Sequence, residues 1–416
     1  MIEEELTDQS CIIIGASHAG VNCAFALRRE GWEGGILLID ADPHLPYHRP
    51  PLSKSFLTAE AGIAQIALRS AEAYEKQGIE RIIGRVSIID RTNKQLTLTN
   101  GASYWYNKLV LATGARAFIP NIPGLQDAGH LYVLRTAADI SNIRQALLNS
   151  TSKRVLVIGG GYIGLELAAS LTKLGAQIQV LEREERILAR VTAPEMSRFF
   201  EQLHQTNGVE VCTGKSVVSI YEENGGVRAT CADGSEYQAD LIVLGVGIKV
   251  NAELAAESDL AVENGIKVDT TTRTSDEDIF AIGDCSYHYN AYYQRNLRLE
   301  SVQNAVDQAK VAAANICGKA AEYDSLPWFW SDQYDVKLQT VGLFNGYDVA
   351  VHREEAGKEN CFSIWYFKED RLLAVDAVNN AKAYVVGMKL LKERSVIDRS
   401  KLTDNTIPLK PSLLAL

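Results

Sequence analysis

One pattern occurs twice in this chain, and it restricts the fold more than any other feature. Cys11-Ile12-Ile13-Ile14 runs directly into the turn Gly15-Ala16-Ser17-His18-Ala19-Gly20. Arg154-Val155-Leu156-Val157-Ile158 runs directly into Gly159-Gly160-Gly161-Tyr162-Ile163-Gly164. The turns are 144 residues apart, and each is followed by a helix-length segment and a second apolar strand. Those strands end in acids, Ile36-Leu37-Leu38-Ile39-Asp40 and Ile178-Gln179-Val180-Leu181-Glu182. A strand, glycine turn and helix in this order present free N–H groups and a positive dipole end to a pyrophosphate. The acid closing the next strand suits a ribose hydroxyl. Two copies, each in its full context, predict two dinucleotide sites in one chain.

The alternation of short β-branched runs with longer helical stretches predicts an α/β fold with parallel strands and crossover helices. A first dinucleotide domain is expected over residues 1–116, resumed at 249–326, because Asp278-Ile279-Phe280-Ala281-Ile282-Gly283-Asp284 beyond the second repeat reads as a return to it. The second domain is expected over 117–248, and a small α+β domain over 327–416, where Val336–Val341 alternates in part and Phe362–Phe367 is aromatic.

Charge and cysteines narrow the function. With 42 basic and 52 acidic residues the net charge is −10, a poor match to nucleic acid, although a local basic patch for an acidic protein remains compatible. The seven cysteines are scattered with no C-x-x-C spacing, which fits a reducing cytoplasm. Residues 1–8 are polar and acidic, unlike a signal peptide, and no apolar run reaches the ~18 residues that span a bilayer. His44 and His48 are four apart, but Pro46 and Pro50 argue against a helix there and no further ligands complete a metal site, so none is expected. Cys23 lacks the partner that thiol–disulfide chemistry requires.

The motifs Arg49-Pro50-Pro51-Leu52-Ser53-Lys54, Leu111-Ala112-Thr113-Gly114, Gly159 to Glu166, Ala281 to Asp284, Glu300-Ser301-Val302-Gln303-Asn304-Ala305 and Pro327-Trp328-Phe329-Trp330-Ser331-Asp332-Gln333 carry a resemblance. The chain resembles the glutathione-reductase-like flavoproteins, and within them the oxygenase-coupled ferredoxin reductases, from Cys11 to about residue 410. Ser17, in place of the middle glycine, is the one departure inside a motif.

The resemblance implies FAD in the first site and NADH in the second. For FAD it implies Ala19, Asp40, Arg49, Lys54, Val86, Ala112, Arg135, Asp284, Val302 and Trp330, together with the turn residues Gly15, Ser17 and Gly20 and the motif neighbours Thr113, Gly114 and Ser301. His18 sits in the turn and is read as structural, within the cofactor-contacting stretch. For NADH it implies Ile163, Glu166, Glu182, Arg190, Gly247 and Glu300, with Gly159, Gly161, Tyr162, Gly164, Arg183 and Val246 alongside.

Glu182 favours NADH over NADPH by repelling a 2′-phosphate, whereas Arg183 and Arg186 would attract one. Taken alone, Lys54 reads as a solvated lysine opening a helix, Glu166 as a surface glutamate, and Asp284 as a helix cap. The resemblance sets Lys54 and Glu166 side by side as catalytic groups, with the lysine stabilising an anionic reduced flavin. A separate [2Fe–2S] ferredoxin feeding a cytochrome P450 or a ring-hydroxylating oxygenase is the implied partner, since no cluster-ligating cysteine set is present. Arg295, Arg298 and Lys310 are candidate docking cations. A rubredoxin reductase is the alternative, and a flavin-bearing signalling protein like apoptosis-inducing factor a more distant one.

Overall fold

The computed structural model describes residues 9–59, 62–126, 128–223, 225–355 and 357–416. Residues 1–8, the acidic stretch discussed above, lie outside them. The chain divides into two compact units, one of Met1–Arg49, Gly62–Arg116 and Lys249–Pro327, the other of Pro50–Ala61, Ala117–Ile248 and Trp328–Leu416.

The first unit contains a five-stranded parallel sheet in the order Ile279–Ala281, Lys108–Leu111, Ser10–Ile14, Gly35–Asp40, Ile79–Ile83. The second contains its counterpart, ordered Leu131–Val133, Leu241–Leu244, Arg154–Ile158, Gln177–Leu181, Glu210–Cys212. The central strands are apolar because both of their faces are buried: in the first sheet Cys11 and Ile13 pack with the helices His18–Glu30 and Val302–Ile316, while Ile12 and Ile14 pack with Ile89, Leu96 and Leu98. Each sheet carries a three-stranded antiparallel meander inserted after its acid-side edge strand: Val86–Asp90, Gln95–Leu98 and Ser103–Trp105 in one, Val217–Glu223, Gly226–Cys231 and Glu236–Ala239 in the other. The repeat seen in two turns therefore extends over two whole folding units.

The stretches Val336–Val341 and Phe362–Phe367 fall in the strands Val336–Gly342 and Phe362–Lys368. Their sheet is antiparallel, ordered Trp328–Gln333, Val336–Gly342, Arg371–Val378, Phe362–Lys368, Val349–Glu354. The fold is thus two Rossmann-like dinucleotide-binding arrangements followed by a C-terminal α+β part.

This sheet packs with 117–248 through buried polar bonds. Asp376 accepts hydrogen bonds from Thr340 and Tyr366 at 2.6 Å each, and from Thr192. Burial pushes the Asp376 carboxyl upward, and the three hydroxyls oppose that. Pro50–Ala61 is held in the same unit by Arg144, whose guanidinium donates to the Phe56, Leu57 and Ala59 carbonyls, and by Ser170, which donates to the Ser53 carbonyl at 2.7 Å. No helix among the described residues is long and apolar enough to cross a membrane.

Two buried histidines make an acid-stability prediction. Burial lowers both His204 and His288 to about 4. Between their ordinary value near 6.5 and about 4 the unfolded chain binds protons that the folded chain does not, so stability falls as pH drops through that window. The loss is roughly 3 kcal/mol per histidine. Urea midpoints measured from neutral pH downward should fall, and His204→Gln and His288→Gln should each flatten the profile; an unchanged slope in both variants would contradict this.

Candidate active site

The two glycine turns have matching geometry. Gly15 and Gly159 have φ of +105° and +111°, in the left-handed region. A Cβ on Gly15 would lie 2.2 Å from the Ala112 carbonyl oxygen, and one on Gly159 would lie 2.5 Å from that of Gly245. Neither position tolerates a side chain. In the first turn the Asp40 carboxylate accepts from the Ala16 N–H, and from Asp42 N–H at 2.8 Å. In the second, Glu182 accepts from Gly160 N–H at 2.7 Å and from Glu184 N–H at 2.9 Å.

The helices leaving these turns, His18–Glu30 and Tyr162–Lys173, have no capping side chain and no acid in the first turn. The other described helices of twelve or more residues have one or the other: a capping box at Thr136, side-chain caps at Ser301 and Asn380, and Glu195 in the first turn of Pro194–Thr206. Neither of these two helix starts has a side-chain cap or a first-turn acid of its own, which fits the pyrophosphates of FAD and NADH. Ser17 has φ −99° and ψ −157°, extended backbone open to any residue, so the departure from glycine introduces no strain.

In the first unit, Gly283 packs against the start of the first helix: a Cβ there would lie 2.9 Å from that of Ala19. This brings Asp284 to the turn's vicinity. Asp284 is inside the short 3-10 turn Gly283–Cys285, and Ile282, not Asp284, occupies the cap position. His18 is buried and its Nε2 lies 3.3 Å from His48 Nδ1, a contact the sequence did not reveal.

Arg49 donates to the Tyr47 hydroxyl at 2.7 Å and lies over that ring, 4.4 Å from its centroid. Thr113 donates to the Asn251 carbonyl at 2.6 Å, and Gly114 has φ +61°. Ala112 is buried and Val86 half-buried. Ser301 caps the helix Val302–Ile316 by accepting from Asn304 N–H at 3.1 Å. Glu300 pairs with Arg298 at 2.7 Å, and Lys310 with Asp307 at 2.9 Å; Arg295 is exposed.

Lys54, Arg135 and Trp330 belong to the second unit, as do the NADH candidates other than Glu300. Arg135 donates its N–H to Asp139 at 2.9 Å, beside the Thr136 capping box. Trp330 lies 5.9 Å from Trp328, centroid to centroid, and Tyr162 lies 4.9 Å from Phe329. Ile163 is 45% exposed in the first turn of its helix. Gly164 sits over the turn, and a Cβ there would lie 2.0 Å from the Gly159 carbonyl oxygen. Val246 is half-buried, and Gly247 has φ +107°. Arg190 is exposed in the loop after Glu182. Arg183 pairs with Glu184 at 2.9 Å, and Arg186 donates to Ser197 at 2.6 Å and to the Ala189 carbonyl at 2.9 Å. Arg186 is therefore held locally, whereas Arg183 stays 74% exposed beside its neighbour Glu184.

The structure joins Lys54 and Glu166, 112 residues apart. Lys54 Nζ lies 2.6 Å from Glu166 Oε2, and Glu166 is only 3% exposed. Glu166 also accepts from Ser53 Oγ at 2.5 Å and from Ser331 Oγ at 2.7 Å. A buried carboxylate with a cation and two hydroxyls is fully paired. Glu166 stands one turn along the helix from Tyr162, so the ion pair is set close to the glycine turn. Sequence reasoning missed Ser53 and Ser331; each lies inside a quoted motif, which was the available signal.

The model of the family described as "Pyridine nucleotide-disulphide oxidoreductase" matches residues 9–309, and "Reductase C-terminal" matches 328–413. Putidaredoxin reductase CamA of Pseudomonas putida is 39% identical over 414 residues, covering 98% of this chain and 97% of that protein. Rubredoxin-NAD(+) reductase of the same species is 38% identical over 376 residues, covering 89% and 96%. The crystal structure of the covalent putidaredoxin reductase–putidaredoxin complex aligns with TM-score 0.93 at 38% identity, covering 98% of each chain. With two glycine turns and a C-terminal part that matches in its own right, the chain belongs to the pyridine nucleotide-disulphide oxidoreductase family and is an oxidoreductase.

Proposed function

We propose that this chain is an FAD-containing, NADH-dependent reductase that passes electrons singly to a separate [2Fe–2S] ferredoxin serving a cytochrome P450 or a ring-hydroxylating oxygenase. FAD is assigned to residues 1–116 and 249–326, NADH to 117–248, and 327–416 forms the C-terminal part. The flavin supplies the conversion of a two-electron hydride donor into single-electron delivery. The observation that carries the reading is the pairing of Lys54 with buried Glu166, which stands on the helix that opens from the second glycine turn.

The chain's own residues supply placement and charge. The first-turn N–H groups of both helices hold pyrophosphates, and Asp40 and Glu182 take ribose hydroxyls. Lys54 holds a positive charge where negative charge develops, and Glu166 keeps that ammonium in place. Glu182, with Arg186 held by Ser197 and the Ala189 carbonyl, selects NADH. Seven cysteines without C-x-x-C spacing support a cytoplasmic setting.

Anaerobic titration tests this. NADH should bleach the yellow protein, and NADPH should be at least roughly 100-fold less effective, since like charges cost a few kcal/mol. A protein that stays colourless after reconstitution with FAD, or does not bleach, would refute the assignment. Ferredoxin reduction should slow as salt rises, because charge steers the encounter; a rate flat with ionic strength would remove the docking role of the surface cations. The rubredoxin reading draws on the second relative; comparing turnover with a [2Fe–2S] ferredoxin and a rubredoxin decides between them.

A further inference from the structure

The strand Trp328–Gln333 alternates its side chains, so Ser331 and Gln333 share one face and Trp328 and Trp330 the other. Ser331 and Gln333 are both buried. From Glu166 a single file of hydrogen bonds runs away from Lys54. Ser331 Oγ donates to Glu166 Oε1 at 2.7 Å, and Gln333 Nε2 donates to Ser331 Oγ at 3.1 Å. Gln333 Oε1 lies 2.8 Å from His204 Nε2, and His204 Nδ1 lies 3.2 Å from the Tyr334 hydroxyl.

The chemistry of the groups sets the direction of every bond. An amide oxygen only accepts, so His204 Nε2 carries the hydrogen. Nδ1 is then an acceptor and takes the Tyr334 hydroxyl hydrogen. Each member donates towards Glu166 and accepts from behind. Tyr334 has φ +57°, a left-handed conformation costing an aromatic residue about 1–2 kcal/mol, at the hairpin that brings its hydroxyl to His204. An amide cannot relay a proton while keeping its own bonding, so the file orients and does not conduct.

We propose that Ser331, Gln333 and His204 are positioning residues that lock the Glu166 carboxylate, leaving Oε2 to Lys54 and Ser53. A buried network with one consistent polarity specifies one arrangement. This rests on reading Lys54–Glu166 as the hydride-transfer site.

The test uses the FAD-loaded enzyme with Ser331→Ala, Ser331→Thr, Gln333→Met and Glu166→Gln, plus ¹⁵N-histidine NMR. Ser331→Ala should lower the limiting rate of flavin reduction by about fivefold, the worth of one hydrogen bond, with the NADH dissociation constant within about twofold of wild type. Gln333→Met should act in the same sense, and Ser331→Thr should restore the rate. Independently of turnover, wild-type His204 should show the neutral Nε2–H tautomer at neutral pH, and Gln333→Met should shift its ring nitrogens. An Nδ1–H tautomer, or a Ser331→Ala rate equal to wild type while Glu166→Gln is slow, overturns the positioning role alone. A Glu166→Gln rate equal to wild type overturns the reading of the site beneath it, and the positioning role with it.

Discussion

Replacing Lys54 with methionine should slow anaerobic flavin reduction by NADH by roughly 100- to 1,000-fold, the loss typical when one preorganised electrostatic group is removed. The same change should lower stability by about 3 kcal/mol, because breaking a buried ion pair leaves an uncompensated charge. Glu166 keeps the Ser53 and Ser331 hydroxyls, but among the described residues no other cation lies within ion-pair distance of it. The two effects separate in the double variant Lys54→Met, Glu166→Gln. A neutral amide removes the buried charge, so urea stability should recover while flavin reduction stays slow. Stopped-flow absorbance and urea denaturation are the measurements; a Lys54→Met rate within about threefold of wild type would leave the electrostatic role without support.

Arg353→Met should cost about 3–5 kcal/mol without touching the nucleotide turns. The Arg353 side chain is 1% exposed, yet it holds the end of the chain. Its guanidinium donates to the carbonyls of Leu402 and Asp404 at 3.0 Å each and of Ile407 at 2.8 Å, and to Glu355 at 3.2 Å. Methionine fills similar space but removes the donor that ties these three carbonyls together, and it leaves the buried Leu402 carbonyl without it. Lysine, with a point charge in place of a planar fork, cannot reach all of them and should not rescue. Hydrogen exchange should show the loss concentrated in residues 399–416. Protection there equal to wild type would mean that the tail is held by its apolar contacts.

The paired turns were legible because a phosphate-binding turn is a local object. Glycine is required at Gly15 and Gly159 by φ and by close backbone approach, and an acid is required one helix and one strand later. Such constraints leave residue types at fixed spacing. The return of the chain at Asp278–Asp284 was legible for the same reason, and the strand Ile279–Ala281 does join the first parallel sheet. The two antiparallel meanders were not read, since short alternating strands give a weak signal beside strongly apolar ones.

By itself the sequence determined two nucleotide folds, their order, the acid in each, and a C-terminal α+β part. Only the tertiary structure decided that Pro50–Ala61 packs with 117–248, that Arg186 is held by Ser197, and that Glu166 is met by Ser53, Ser331 and Lys54. The physical reason is the range of the interactions. Turn geometry and periodicity act over a few residues and mark the sequence directly. A buried charge is satisfied by whichever donors the packing brings near, and Ser331 reaches Glu166 across 165 positions with no spacing rule to announce it.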